Sequence, residues 1–332
     1  MAFKTLEEAK KALFQEEERA RTENLIDAIK NKNDEFYTTY EEIEREIAFY
    51  EQDLVNKTIF LPCDDVFLLK DYFTNPDDIP SQFWVYFHKN FKKLKLKKIV
   101  ATSKNFNNEQ AIVYEYDGNG DDSNVFDFTY YKLNNDGDFR HLDNFPLFIN
   151  SDIVITNPPF SIKTDFLNVL RATKSKFLFI GHMVTIGSNQ YFKLFKQKKL
   201  FFGFNYVREF FSFKAFKAEK VWNKGVNCFW FTNIEKDLKW YNYLTLKKER
   251  EKRYWNYVDN YPNLINIEKI IVLKEVQQFH NGLFAVPVTA CVVLDTDNEW
   301  EVIGKDEDGF FPVLYVNNKQ LFKRIIIKKK GT

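Results

Sequence analysis

The chain has 332 residues and a formal net charge of +1; 45% of its residues are hydrophobic and 18% aromatic. That supply of apolar side chains excludes global disorder and supports a sizeable core, in one large domain or a domain with an elaborated segment. Eleven Gly and nine Pro exclude a low-complexity chain, and three widely spaced cysteines (Cys63, Cys228, Cys291) give neither metal-ligand spacing nor a disulfide framework, which fits a reducing cytoplasm.

The N-terminus is charged throughout, so no signal peptide is read, and no stretch approaches a membrane span. Thr5 to Lys30 reads as helical, rich in Glu, Lys, Ala and Leu without Gly or Pro, and residues 1–31 are taken as an N-terminal helical segment. The next helix places Ile43, Ile47 and Tyr50 on one face, with Glu and Arg on the other. Thr38 or Thr39 would cap it, with Glu41 or Glu42 in the capping-box position.

Lys57–Val66 (KTIFLPCDDV) and Lys97–Lys104 (KKIVATSK) read as buried strands around a helix over Gln82–Phe91, a β-α-β unit. Asn105–Asn134, rich in Asn, Asp, Gly and Tyr, reads as a hairpin or loop. DIVIT (Asp152–Thr156) is a strand, SIKTDFLNVLRAT a helix, KFLFIGHMV a strand and SNQYFKLFKQKK a helix. From about Leu200 the pattern turns β-like with irregular spacing, in VNCFWFTNI, KIIVL and LFAVPVTACVVL. The expected fold is α/β: a mainly parallel, doubly wound sheet with helices on both faces and a mixed β/α C-terminal extension.

The near-neutral total hides basic stretches at Phe87–Lys98, Tyr241–Trp255 and Arg324–Lys330. Each fits phosphate contact, although most charge runs are solvated faces. The four histidines (His88, His141, His182, His280) are isolated and carry no metal-ligand spacing, so no metal is expected.

The unusual feature is Asn157-Pro158-Pro159-Phe160, directly after the DIVIT strand. In open α/β sheets, ligands bind outside the carboxyl ends of the strands. An exocyclic amino group on an aromatic ring is a poor nucleophile, because its lone pair is delocalised into the ring. Two acceptors set against its hydrogens would favour a more tetrahedral nitrogen. Asn157 offers a side-chain oxygen and Pro158 a backbone carbonyl, with no proline N–H to compete. Phe160 offers a face for a base, worth roughly 1–3 kcal/mol of stacking. A bland alternative is a rigid strand-to-helix turn, with Asn157 as helix cap and Phe160 as a buried staple.

A D/N-P-P-F/Y/W corner after a strand resembles the catalytic motif of S-adenosylmethionine-dependent amino methyltransferases. The ordered set NDEFYTTYEEIEREIAFY, LPCDDV, DGDFR, SDIVITNPPFS, KFLFIGHMV and GLFAVPVT, from about Asn33 to Thr289, is similar to the EcoRI-type adenine-N6 DNA methyltransferase family. The resemblance implies a Rossmann-like fold, with a cofactor-binding catalytic core over 32–200 and the remainder of the core plus a target-recognition extension over 201–332. It implies site-specific transfer of a methyl group from S-adenosyl-L-methionine to a flipped-out adenine in double-stranded DNA. Phe36, Tyr37 and Thr38 would contact the methionine part of the cofactor, and Cys63, Asp64 and Asp65 its ammonium or carboxylate end. Asp138 would accept from the cofactor's adenine amino group with Phe139 against the ring, and Asn157, Pro158, Pro159 and Phe160 would hold the target adenine. Tyr and Phe at such places are also ordinary core aromatics, and Asp64 and Asp65 ordinary turn residues.

There are departures. LPCDDV lacks the Gly-rich turn of most methyltransferases, an oddity the EcoRI type shares, and that type's proline after Asp-Asp is Val66 here. KKIVATSK has no acidic residue at its end for the cofactor ribose, and Glu115 is a substitute. Asn205–Gly225, which mixes cations with aromatics, is the first choice for a DNA-contacting loop, with an aromatic packing segment as the alternative. The implied protein is a cytoplasmic, prokaryotic or phage-encoded monomer acting on chromosomal or phage DNA, with a cognate restriction endonuclease as a candidate partner system. Competing readings are an RNA-adenine or protein-glutamine N-methyltransferase and a non-catalytic DNA-binding protein.

Overall fold

The structure, a computed structural model, describes residues 37–64, 81–104, 110–214, 217–222, 227–235, 255–277, 280–296, 299–308, 311 and 313–331. The helix expected over Thr5–Lys30 and most of the Tyr241–Trp255 stretch lie outside them. The described residues fall into two compact units, one within 1–182 and 203–234, the other within 183–202 and 235–332. The composition break near Leu200 does not separate them, because strands beyond it complete the first unit's sheet.

The strands of the first unit are β1 (Tyr37–Thr38), β2 (Thr58–Leu61), β3 (Lys98–Thr102), β4 (Ile112–Tyr116), β5 (Thr129–Lys132), β6 (Ile153–Thr156), β7 (Lys176–His182), β8 (Phe201–Tyr206), β9 (Glu209–Lys214), β10 (Lys217–Trp222) and β11 (Cys228–Thr232). Its main helices are α1 (Tyr40–Ile47), α2 (Gln82–Lys89) and α3 (Lys163–Ala172). Eight strands form one sheet in the order β5-β4-β3-β2-β6-β7-β11-β8. Neighbours in the run β3-β2-β6-β7 are parallel. β4 is antiparallel to β3, β5 to β4, and β11 to β7. The sheet is therefore mixed rather than mainly parallel. The Asn105–Asn134 insertion supplies β4 and β5 and extends its edge as a hairpin.

β2 (TIFL) and β6 (IVIT) are buried at every position, as expected for continuous apolar runs covered on both faces. Alternate residues separate the faces. Ile59, Leu61, Ile99, Ala101, Ile153, Ile155, Leu178 and Ile180 share a core with Ile43 and Ile47 of α1 and Phe83, Trp84, Tyr86 and Phe87 of α2. Phe60 and Phe179 point the other way, meeting the rings of Phe148 at 4.9 Å and Phe166 of α3 at 5.6 Å.

Thr39, not Thr38, caps α1, its Oγ1 accepting from Glu42 N. Ile43, Ile47 and Tyr50 are buried as expected, and so are Glu42 and Glu46. Glu46 Oε1 accepts from Phe204 N at 2.7 Å, and Oε2 accepts from Asn205 N at 2.7 Å and Asn205 Nδ2 at 3.0 Å. A buried carboxylate on α1 thus satisfies backbone donors of β8. Gly203 permits the approach, since a Cβ there would lie 2.3 Å from Glu46 Oε1 and 2.5 Å from Trp230 Cβ. Glu42 pairs with Arg45, which also donates to Tyr206 O.

The second unit holds a five-stranded sheet ordered Trp255–Val258, Tyr261–Ile267, Leu283–Pro287, Arg324–Lys329, Trp300–Lys305, with one parallel pair, Tyr261–Ile267 beside Leu283–Pro287. The apolar run KIIVL is not a strand. It forms a 3-10 turn over Ile270–Val272 that continues into the helix Leu273–Val276. LFAVPVTACVVL is a strand only to Pro287 and then turns helical over Val288–Ala290 and Cys291–Thr296. The basic C-terminal RIIIKKK is a strand anchored by buried Ile325, Ile326 and Ile327. No helix of the described residues is long and apolar enough to cross a membrane.

Candidate active site

The sheet order reverses at β2: the chain moves from β2 outward to β3, then returns to lay β6 on the other side of β2. Such a reversal leaves a crevice at the carboxyl ends of the two strands. The segments there are Pro62-Cys63-Asp64 after β2 and Asn157-Pro158-Pro159-Phe160 after β6.

Asp64 is the organising side chain of this end. It is 7% exposed. Its Oδ1 accepts from Ser81 Oγ at 2.6 Å and its Oδ2 from Thr156 Oγ1 at 2.8 Å. Its backbone N–H donates to Thr102 O at 3.1 Å. One residue is thereby tied to the ends of β3 and β6 and to the start of α2. Cys63, half-buried and not in a disulfide, precedes it. Asp65 lies outside the described residues.

At the corner, Pro158 is buried, while Asn157, Pro159 and Phe160 are half-buried. Pro159 has φ −54° and ψ 131°, an extended conformation that proline favours. The N-cap positions of the Phe160–Ile162 turn and of α3 belong to Pro159 and Ile162, so Asn157 is not the helix cap of the bland alternative. Asn157 Oδ1 is buried. Phe160 packs against the α1/α2 core while keeping part of its ring exposed.

β1 carries Tyr37 and Thr38; Phe36 lies outside the described residues. β1 is paired to β9 and packs against α2. Thr38 is 3% exposed, and its Oγ1 has no hydrogen-bond partner among the described residues. A buried hydroxyl in that condition fits a ligand contact.

Asp138 and Phe139 are otherwise engaged. Asp138 Oδ1 accepts from Arg140 N and Nε, each at 3.0 Å, and Oδ2 accepts from Arg140 Nη2 and Lys104 Nζ, each at 2.8 Å. A carboxylate has about four lone-pair positions, and all four are used. Burial alone would raise the Asp138 pKa, but hydrogen bonds from Arg140 and Lys104 outweigh it and hold the carboxyl well below its usual range. Phe139 is buried edge-on against Phe166, with ring centroids 5.2 Å apart. Asp138 thus anchors an ion cluster with Arg140 and Lys104, and Phe139 lies within the aromatic core. Glu115 lies opposite Val100, midway along β3, and faces Lys98 at 2.6 Å.

In the basic stretch Phe87–Lys98, three of the six lysines face carboxylates: Lys92 faces Asp122, Lys93 faces Glu51 and Lys98 faces Glu115. His88 is a satisfied core residue, its ring nitrogens 3.2 and 3.0 Å from the carbonyls of Asp122 and Asp127. A cavity of about 440 Å³ lies at the opposite, amino ends of β2, β6 and β7, lined by Lys57, Asp152, Lys174 and Lys176 among others. It is remote from the corner and gathers both charge signs, so it does not compete with the crevice as the reaction site.

Sequence reasoning passed over Ser81, Thr156, Lys104 and Arg140. Thr156 directly precedes Asn157, and Ser81 opens a predicted helix, but neither position announces a partner distant in sequence.

A family described as adenine-specific methyltransferase EcoRI matches residues 24–330. The chain belongs to that family. The methyltransferase is 31% identical to the type II methyltransferase M.EcoRI of Escherichia coli, over 92% of this chain and 96% of that one. It is 31% identical to the type II methyltransferase M.MgeORF184P of Mycoplasma genitalium, over 91% and 98%, and 30% identical to M.MpnI of Mycoplasma pneumoniae, over 79% of each. No solved structure matches it significantly. The methyltransferase modifies adenine in DNA, which requires a methyl donor and DNA as substrate.

Proposed function

We propose that the enzyme transfers a methyl group from S-adenosyl-L-methionine directly to N6 of an adenine flipped out of duplex DNA, at one short recognition sequence. The observation that carries this is the Asn157–Phe160 corner, which leaves β6 beside the Asp64 carboxylate at the reversal of the sheet. The residues fit the cofactor: the Asp64 side chain suits its ammonium, and the buried Thr38 hydroxyl suits its methionine end. The bound cofactor would supply an electrophilic methyl group, with Phe36, Tyr37, Cys63 and Asp65 completing its surroundings.

The chain's own part is positioning and charge stabilisation. Asn157 Oδ1 and the Pro158 carbonyl accept from the two N6 hydrogens and disperse the positive charge that grows on nitrogen during attack. Pro159 fixes the backbone that aims the carbonyl. Phe160 stacks on the extruded ring. The proton leaves N6 for solvent after transfer, so no covalent enzyme intermediate is needed.

The crossovers β2-α2-β3 and β6-α3-β7 run to opposite sides of β2, and right-handed connections place their helices on opposite faces, which supports a doubly wound core. The β9–β10 hairpin within Asn205–Gly225 and the second unit are proposed to contact DNA, by a monomer in the cytoplasm. Asn157→Ala tests the reading: transfer to duplex DNA falls at least 100-fold while cofactor affinity stays within threefold, on the scale of removing one oxyanion-hole-type interaction. Wild-type turnover by the variant would contradict it.

A further inference from the structure

Two buried hydroxyls on different elements converge on Asp64, and neither has an evident local use. Ser81 occupies the N-cap position of α2, where a serine ordinarily bonds the first backbone N–H groups of its own helix. Here it makes no side-chain cap bond; its Oγ donates to Asp64 Oδ1 at 2.6 Å instead, and the residue is 2% exposed. The helix forgoes a stabilising cap so that the carboxylate is held. Thr156 is the last residue of β6 and is fully buried; its Oγ1 donates to Asp64 Oδ2 at 2.8 Å. Asn157 follows it directly.

We propose that Thr156 and Ser81 are positioning residues, together fixing the Asp64 carboxylate for the cofactor, with Thr156 setting the distance from methyl donor to catalytic corner. The inference rests on the reading of Asp64 as a cofactor contact. Each hydroxyl donates to a different carboxylate oxygen, so the two bonds fix the rotation of the carboxylate plane as well as its place. Because Thr156 and Asn157 are consecutive on one strand end, the bond to Asp64 makes the cofactor side and the adenine side of the crevice one rigid piece. A hydroxyl with only a packing role would not need both partners so oriented.

The test uses the full chain, with cofactor affinity measured by calorimetry without DNA and methyl transfer measured on duplex DNA lacking N6-methyladenine. Thr156→Val keeps the shape and removes the donor. It should weaken S-adenosylmethionine binding about tenfold, the worth of one hydrogen bond to a charged group, and also lower turnover at saturating cofactor. Thr156→Ser, which keeps the hydroxyl, should restore both to within about threefold of wild type. Ser81→Ala should weaken binding with less effect on saturated turnover, and it carries the test if Thr156→Val fails to fold. In an Asp64→Asn background, adding Thr156→Val should cost nothing further. Wild-type affinity in Thr156→Val and Ser81→Ala, alongside a weakened Asp64→Asn, would overturn the proposal alone. Equal losses from Thr156→Val with and without Asp64 would also overturn it. Wild-type affinity in Asp64→Asn would instead overturn the cofactor reading on which it stands.

Discussion

Thr38 lies opposite Phe210 in the antiparallel pair of β1 and β9. The strand proposed to touch the cofactor is therefore the edge of the three-stranded sheet β1-β9-β10, whose other two strands are the hairpin proposed to touch DNA. A ligand that orders β1 also orders the backbone hydrogen bonds of β9. Hydrogen exchange at residues 209–214 should slow when S-adenosylmethionine is added without DNA. Unchanged exchange there, with cofactor demonstrably bound, would sever the link.

Glu46 gives a pH dependence of known sign. Burial pushes its carboxyl up to about 7 from 4.5, against hydrogen bonds from Phe204 and Asn205. The folded state thus holds a proton that the unfolded chain releases. The associated stability is complete below pH 4.5 and is lost as pH rises through about 7. The change is of order 3 kcal/mol. Denaturant midpoints should fall between pH 5 and 8, and Glu46→Gln should flatten the decline. A variant with the wild-type slope would assign the proton elsewhere.

Asp138 has the opposite sign. Burial opposes its ionisation, but Arg140 and Lys104 overcome that and depress the carboxyl below 3.8. Its contribution is present above pH 3.8 and is lost as pH falls through the folded value. Arg140→Ala leaves a 4%-exposed carboxylate with Lys104 and the backbone N–H of residue 140 and should cost about 2–4 kcal/mol at pH 7, by urea unfolding. A loss below about 0.5 kcal/mol would reduce the cluster to a surface ion pair.

Phe166 joins Phe139, Phe148 and Phe179 edge-on, with centroids 5.2, 6.5 and 5.6 Å away. Phe139→Ala should therefore destabilise the fold by about 3–4 kcal/mol, as a core aromatic does. In the refolded fraction, cofactor affinity should stay near wild type. Affinity lost without stability lost would place Phe139 in the cofactor site.

The parallel strands were legible because TIFL, IVIT and KFLFI are short apolar runs bounded by turns and helical patterns. The capping of α1 was legible to within one residue. KIIVL misled because four consecutive apolar residues, Ile270 to Leu273, carry neither period, so a buried helical turn and a strand look alike. In LFAVPVTACVVL the strand ends at the proline. The burial of Glu46 was not legible, because a charge on a helix normally faces water and the donors it satisfies lie some 158 residues away. The corner was legible from residue types alone, but the two hydroxyls that fix Asp64 were not, since Ser81 and Thr156 are common residues whose meaning lies in a long-range contact.

The most direct measurement is modified-base sequencing of DNA from cells expressing the protein beside cells expressing Asn157→Ala. The account predicts N6-methyladenine at one short sequence motif in the first and none in the second. Methylation at the same motif by the variant, or a soluble wild-type protein that leaves DNA unmodified, would contradict it.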